Sequence, residues 1–132
     1  MNGEPVYIDA SAAVKLLIPE RETTALRREL EGSGTVVSSE LLEVELACTL
    51  RRRAAAVPSR IPALVRNFAL VPMTSSIRKR AMEAWKPPQR TLDALHLATA
   101  LELALDDLVL VSYDADQLAA AAAEGLAVAS PA

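Results

Sequence analysis

The run Leu108-Val109-Leu110-Val111 contains no polar position, so a strand built from it has no face to offer water. Pro5-Val6-Tyr7-Ile8 and Thr35-Val36-Val37-Ser38 are β-prone runs, and Ala69-Leu70-Val71 and Leu126-Ala127-Val128 are shorter candidates. Helical stretches separate them. Residues 11–17 form one, stopped by Pro19, which lacks the N–H to continue it. Residues 22–31 form another, closed by Gly32, and Ser39 stands where it can cap a long helix through Arg53. Pro58 and Pro62 interrupt the chain after that helix, leaving a short helix over about 62–68 and a further one over 77–85. Beyond the loop Lys86-Pro87-Pro88-Gln89, Thr91 can cap a helix to about Leu105, and 116–124, with its alanine-rich 119–123, makes the last. Strands apolar on both faces and alternating with helices predict an α/β chain, a three-layer α/β/α sandwich around a central parallel sheet. At 132 residues and 14.1 kDa there is room for a single domain, 1–132.

Composition removes several classes. With 52% hydrophobic and 23% charged residues the chain folds rather than staying disordered. Cys48 is alone, so neither an internal disulfide framework nor a thiolate metal cluster is available. No apolar run reaches the length of a membrane span. The first nine residues carry Glu4 and Asp9 and no basic segment, so no signal peptide is expected and a cytoplasmic location is. The net charge of −3 argues against a general nucleic-acid binder, but it hides an asymmetry. Residues 1–50 carry 4 basic and 9 acidic side chains, 51–90 carry 10 and 1, and 91–132 carry none and 7. Such blocks predict an acidic centre beside a basic surface.

In parallel sheets of this kind ligands bind outside the carboxyl ends of the strands. Asp9 follows the first strand and Asp114 follows 108–111, so both belong to one sheet edge. On the helix over 40–53, Leu41, Leu42 and Leu46 make a core-facing stripe, and Glu45 and Thr49 fall within its arc, with Glu40, Glu43 and Arg51 opposite. On the helix from residue 92, Asp93 lies with Leu97, Ala100 and Ala104 on the packed side, while Thr99, Glu102 and Asp106 point outward. Each acid has a plain reading: Asp9 and Asp114 as helix caps, Asp93 as a first-turn acid in the helix dipole, Glu45 as a side chain that snorkels to the rim or meets a buried arginine. Asp116 fits the first turn of the last helix. Taken together, Asp9, Glu45, Asp93 and Asp114 converge, and carboxylates so crowded repel unless a cation neutralises them. Oxygen ligands without cysteine or paired histidine select Mg²⁺ or Mn²⁺ over Zn²⁺, and such a cation suits phosphodiester hydrolysis.

The pieces Tyr7-Ile8-Asp9-Ala10-Ser11-Ala12, Ser38-Ser39-Glu40-Leu41-Leu42-Glu43-Val44-Glu45-Leu46, Leu92-Asp93-Ala94-Leu95-His96-Leu97-Ala98 and Val111-Ser112-Tyr113-Asp114 resemble those of PIN domains. More narrowly they resemble the VapC toxins of bacterial toxin–antitoxin pairs, over essentially the whole chain. The resemblance implies a Mg²⁺- or Mn²⁺-dependent endoribonuclease, usually dimeric and inhibited by a small VapB antitoxin. Its acids fall on Asp9, Glu45, Asp93 and Asp114, with Asp116 matching a frequent extra aspartate. Glu40 and Glu43 are rival positions for the second acid, and the facial argument prefers Glu45. Ser11 and Ser112 take the small-hydroxyl positions beside the acids, where a ligand or water can be oriented.

His96, one turn past Asp93, reads as a packing or supporting residue rather than a general base, and Cys48 as a small core residue. RNA is expected to be held by the basic segment, with Arg51, Arg52, Arg53, Arg78, Lys79 and Arg80 as candidates, against the plainer reading of solvated helix faces. A haloacid-dehalogenase-like phosphohydrolase needs a second acid where Ser11 stands, and a response-regulator receiver needs a late lysine where none follows Lys86. A degenerate PIN module that only binds a protein partner is the remaining alternative, opposed by the presence of all four acids.

Overall fold

The computed structural model describes residues 3–53 and 60–132, and the break expected at Pro58 lies outside them. Five short strands, β1 (Val6–Ile8), β2 (Val36–Ser39), β3 (Ala69–Val71), β4 (Val109–Val111) and β5 (Ala127–Ala129), form one parallel sheet in the order β3-β2-β1-β4-β5. The chain starts in the middle, winds one way through β2 and β3, then returns past β1 to build β4 and β5. The strand order therefore reverses between β1 and β4, which opens a crevice between their carboxyl ends. Among the described residues seven helices cover the sheet: α1 (Ala10–Ala13, continued by a 3-10 turn), α2 (Thr23–Glu31), α3 (Leu42–Arg52), α4 (Ile61–Val65), α5 (Ser75–Ala81), α6 (Thr91–Glu102) and α7 (Ala115–Ala123).

The central strands put alternate side chains into two separate cores. Val6, Ile8 and Val111 meet Ala12, Leu26, Leu42, Leu46 and Leu50 on one side, whereas Tyr7, Val37 and Leu110 meet Ile77, Leu97, Ala98 and Ala121 on the other. That is the three-layer arrangement expected from strands without a polar face. Among the described residues no helix is long and apolar enough to cross a membrane.

Several local expectations are corrected. Ser39 ends β2 instead of capping a helix: its Oγ accepts from the Leu41 amide at 3.1 Å, and α3 begins at Leu42. The buried stripe of α3 is Leu42, Leu46 and Leu50, which carries Cys48, half a turn round from Leu46, out to the surface. Thr91 is the first residue of α6 and Arg90 occupies the cap position, while Thr74 caps α5 by accepting from the Ile77 amide. Helix α6 stops at Glu102 because Ala104 turns into the left-handed region, φ +52°. Thr99 does not point outward. It is fully buried on the sheet-facing side of α6, one turn from His96 and beside Tyr7 of β1, and its hydroxyl donates to the Leu95 carbonyl at 2.6 Å.

Candidate active site

Asp9 follows β1 and caps α1, so the cap and the candidate site acid are the same residue. Its Oδ1 accepts from the Ala12 amide at 3.0 Å and the Ser11 hydroxyl at 2.7 Å, and its Oδ2 accepts from the Ser112 hydroxyl at 2.6 Å. Ser11 Oγ also accepts from the Tyr113 amide at 2.9 Å, and Ser112 Oγ from the Asp114 amide at 3.0 Å. A hydroxyl has one proton, and both are already committed to Asp9, so the 3.2 Å approach of the two oxygens is proximity, not a further bond. The two serines thus stitch the loop after β1 to the loop after β4 across the crevice. The expectation that they orient a ligand changes accordingly: they orient Asp9. Burial raises the Asp9 pKa above the ordinary value, opposed by the hydrogen bonds from Ser112 and Ser11, the charge of His96 and the Ala12 amide.

Asp114 follows β4 and caps α7, its Oδ1 accepting from the amides of Asp116 at 2.9 Å and Gln117 at 3.1 Å. Asp116 is exposed on the first turn of α7. Asp93 sits in the first turn of α6, partly buried, and its pKa is raised by burial and then by the charges of Asp114 and Asp9. These three acids therefore stand within reach of one another's fields at the crevice. Gln117, fully buried and not anticipated from sequence, ties α7 to α6 by donating from Nε2 to the Asp93 carbonyl at 2.9 Å. Gln89, equally unforeseen, donates to the Asp116 carbonyl at 3.1 Å. A glutamine that bridges two helix ends has no motif, and only its place in the fold reveals it.

Glu45 lies on the inward-turned flank of α3 with its side chain 11% exposed. Its partner is not the arginine considered from sequence but a histidine: His96 Nε2 lies 2.5 Å from Glu45 Oε1, and His96 Nδ1 lies 2.7 Å from the Tyr7 hydroxyl. Burial lowers the affinity of His96 for its second proton, but the hydrogen bond and charge of Glu45, helped by Asp9 and Asp93, outweigh it and raise the pKa. Tyr7 is held protonated by burial. The rival Glu43 is exposed, and Glu40, also exposed, accepts from the Met73 amide on the β3 side.

Oxygen donors and mutual repulsion fit a hard divalent cation, yet among the described residues no three of His, Cys, Asp or Glu converge closely enough to hold one.

Beside Glu45 a groove of about 370 Å³ runs along α3, lined by Leu41, Val44, Cys48, Arg52 and Leu92. A second cavity, about 410 Å³ between α2 and the chain end, includes Arg28, Glu29 and Pro131 but none of Asp9, Glu45, Asp93 and Asp114. The basic candidates divide. Arg51, Arg52 and Arg53 are exposed at the end of α3, with Arg53 3.4 Å from Glu20. Arg78 and Lys79 are exposed on α5, while Arg80 pairs with Glu102 at 2.9 Å, at the end of α6 about 13 Å along the axis from Asp93. The six do not form one surface around the acids.

Residues 6–124 match the PIN domain model. Ribonuclease VapC46 of Mycobacterium tuberculosis is 34% identical over 126 residues, covering 96% of this chain and 97% of the relative, and ribonuclease VapC47 is 34% identical over 131 residues, covering 96% of each. Among solved structures, the Sarcin-Ricin loop cleaving toxin VapC20 of the same organism superposes with a TM-score of 0.74 at 16% identity, covering 96% of this chain and 99% of that one. A toxin–antitoxin complex from Klebsiella pneumoniae gives 0.68 at 18% identity, covering 96% and 98%.

Proposed function

The chain belongs to the PIN-domain family, within its VapC ribonuclease branch, and from that premise we propose how its residues act on RNA. It is a VapC-type endoribonuclease, the toxin of a toxin–antitoxin pair, made of a single domain over residues 1–132. The observation that carries the site reading is the crevice between β1 and β4, where Asp93 feels the charges of Asp114 and Asp9, and His96 feels those of Glu45, Asp9 and Asp93. Asp9, Glu45, Asp93 and Asp114 are the residues to hold a divalent cation, Mg²⁺ with Mn²⁺ able to substitute, and Asp116 is a peripheral ligand at most. Such a cation, when bound, neutralises the acids, lowers the pKa of a coordinated water and stabilises charge on the phosphate. The protein's own contribution is to fix the donors. Ser11, Ser112 and the Ala12 amide hold both oxygens of Asp9, and Gln117 sets α6 against α7. Arg52, on the groove that contains Glu45, is the basic residue best situated to meet the RNA backbone.

The partners in this reading are RNA, a VapB-type antitoxin and a second copy of the chain, in the cytoplasm. Titration of the purified protein with Mn²⁺ in a calorimeter, beside cleavage of an RNA substrate with and without chelator, tests it. Carboxylate-dependent Mn²⁺ binding and chelator-sensitive cleavage are expected. A folded protein that binds no Mn²⁺ and cuts nothing is the degenerate, partner-binding module instead.

A further inference from the structure

The chain has one histidine, and it lies in a buried line that the four acids leave unexplained. Tyr7 and His96 are 0% and 2% exposed, so water does not compete for the contacts Tyr7 Oη to His96 Nδ1, 2.7 Å, and His96 Nε2 to Glu45 Oε1, 2.5 Å. Proton counting gives this line a direction. An ionised carboxylate only accepts, so the proton in the second contact belongs to His96 Nε2. At the other nitrogen, the Tyr7 hydroxyl either donates to a bare Nδ1 or accepts from a protonated one. In both arrangements Nε2–H points at Glu45. Tyr7 belongs to the central strand and His96 to a helix buried nearly all round, so neither ring has room to turn away. Glu45 is different: it has three rotatable side-chain bonds and stands at the rim of the α3 groove, where solvent offers alternatives.

We propose that His96 is a positioning residue: anchored by Tyr7, it takes Oε1 of Glu45 and leaves Oε2 as the oxygen with which Glu45 serves the acid site. The proposal rests on Glu45 being one of the site acids. A partner that orients a ligating carboxylate typically influences metal affinity by 10- to 100-fold.

The test uses the full chain, with Mn²⁺ as the probe, and does not depend on activity alone. Long-range ¹⁵N–¹H NMR of the metal-free wild type, in which the single imidazole gives an unambiguous signal, should show the proton on Nε2 shielded from exchange. Calorimetry should show Mn²⁺ binding about 10- to 100-fold weaker in His96→Ala. His96→Gln, whose amide N–H stands where Nε2–H stood, should recover most of that loss, and His96→Asn, too short to reach Glu45, should not. Tyr7→Phe should show a smaller loss and faster exchange of the Nε2 proton. A wild-type imidazole with a bare Nε2 overturns the proposal. So does equal Mn²⁺ affinity in His96→Gln and His96→Asn, which also serves if His96→Ala fails to fold. Impaired Glu45→Gln beside a wild-type-like His96→Ala overturns the positioning role of His96 and leaves Glu45 in the site. A wild-type-like Glu45→Gln removes Glu45 itself, and the proposal with it.

Discussion

Asp93 and Glu102 stand on the same helix, about 13 Å apart along its axis, and their surroundings push their proton affinities in opposite directions. Glu102, exposed, meets the Ser76 hydroxyl at 2.5 Å and Arg80 at 2.9 Å, and the Ser76 bond and then Arg80 lower its pKa. Asp93, partly buried, faces Asp114 and Asp9, and its pKa is raised by burial and by both of them. One end of α6 is a settled surface contact that holds α5 in place. The other end keeps like charges together, an arrangement that destabilises the free protein and becomes favourable when a cation arrives. A carboxylate's function is therefore read from what is missing around it as much as from what is present.

The sharpest way to break this contrast is by activity. Asp93→Asn should lower RNA cleavage by about 100-fold or more, as loss of a group acting directly on the reacting centre does, whereas Glu102→Gln and Glu43→Gln should cleave within about twofold of wild type. Comparable losses at Asp93 and Glu102 in folded proteins would dissolve the distinction.

Next in size is the support of the site. Ser112→Ala removes a donor to buried Asp9 and the acceptor for the Asp114 amide, so chemical denaturation should register a loss of about 1–3 kcal/mol. Ser76→Ala, at the settled end, removes only an exposed partner and should leave the denaturation midpoint nearly unmoved. A Ser112→Ala protein as stable as wild type would mean water replaces the hydroxyl.

Salt dependence separates the two basic clusters. With a cleavage-dead Asp93→Asn background, Arg51→Ala with Arg52→Ala should flatten the plot of log affinity against log salt by about 1.4 if both meet phosphate on single-stranded RNA. Arg78→Ala with Lys79→Ala, on α5, should change that slope less. The reverse order would transfer the RNA track to α5.

The smallest effect is on pH. For Asp9 and Asp93 the folded pKa lies above the ordinary 3.8, so their contribution to stability is complete below that value and is lost as pH rises through the folded value. The metal-free protein should therefore melt at a higher temperature in mild acid than these two groups permit at neutrality, and Asp93→Asn should flatten the gain. Glu102, with a lowered pKa, acts in the opposite sense, losing its contribution as pH falls. Thermal melts of the variants across pH 4–7.5 read both signs.

Much of this was legible without coordinates. Apolar runs such as 108–111 dictate a sheet covered on both faces, because burial of their side chains leaves no alternative. Acids placed directly after β1 and β4 follow the topology to one edge. The angular position of Glu45 on α3 turned it inward, as found. The same angular reasoning misplaced Thr99, since a helix projection records which side of a helix is apolar and cannot know that the Tyr7 hydroxyl gives the sheet side a polar spot where a threonine fits. Cys48 reads as core from its residue type alone, whereas its angle, half a turn from Leu46, carries it to the surface.

What tertiary structure alone decided is the company each acid keeps. Ser11 and Ser112 are 101 positions apart, Tyr7 and His96 are 89, and Glu45 and His96 are 51. A sequence specifies such groups through local periodicity, which sets the face and the edge where a side chain emerges. Whether a hydroxyl there donates to a carboxylate or waits for a ligand depends on distances of a few tenths of an ångström. Those distances are set by how two helices and the sheet pack together, a property of the whole chain and of no segment within it.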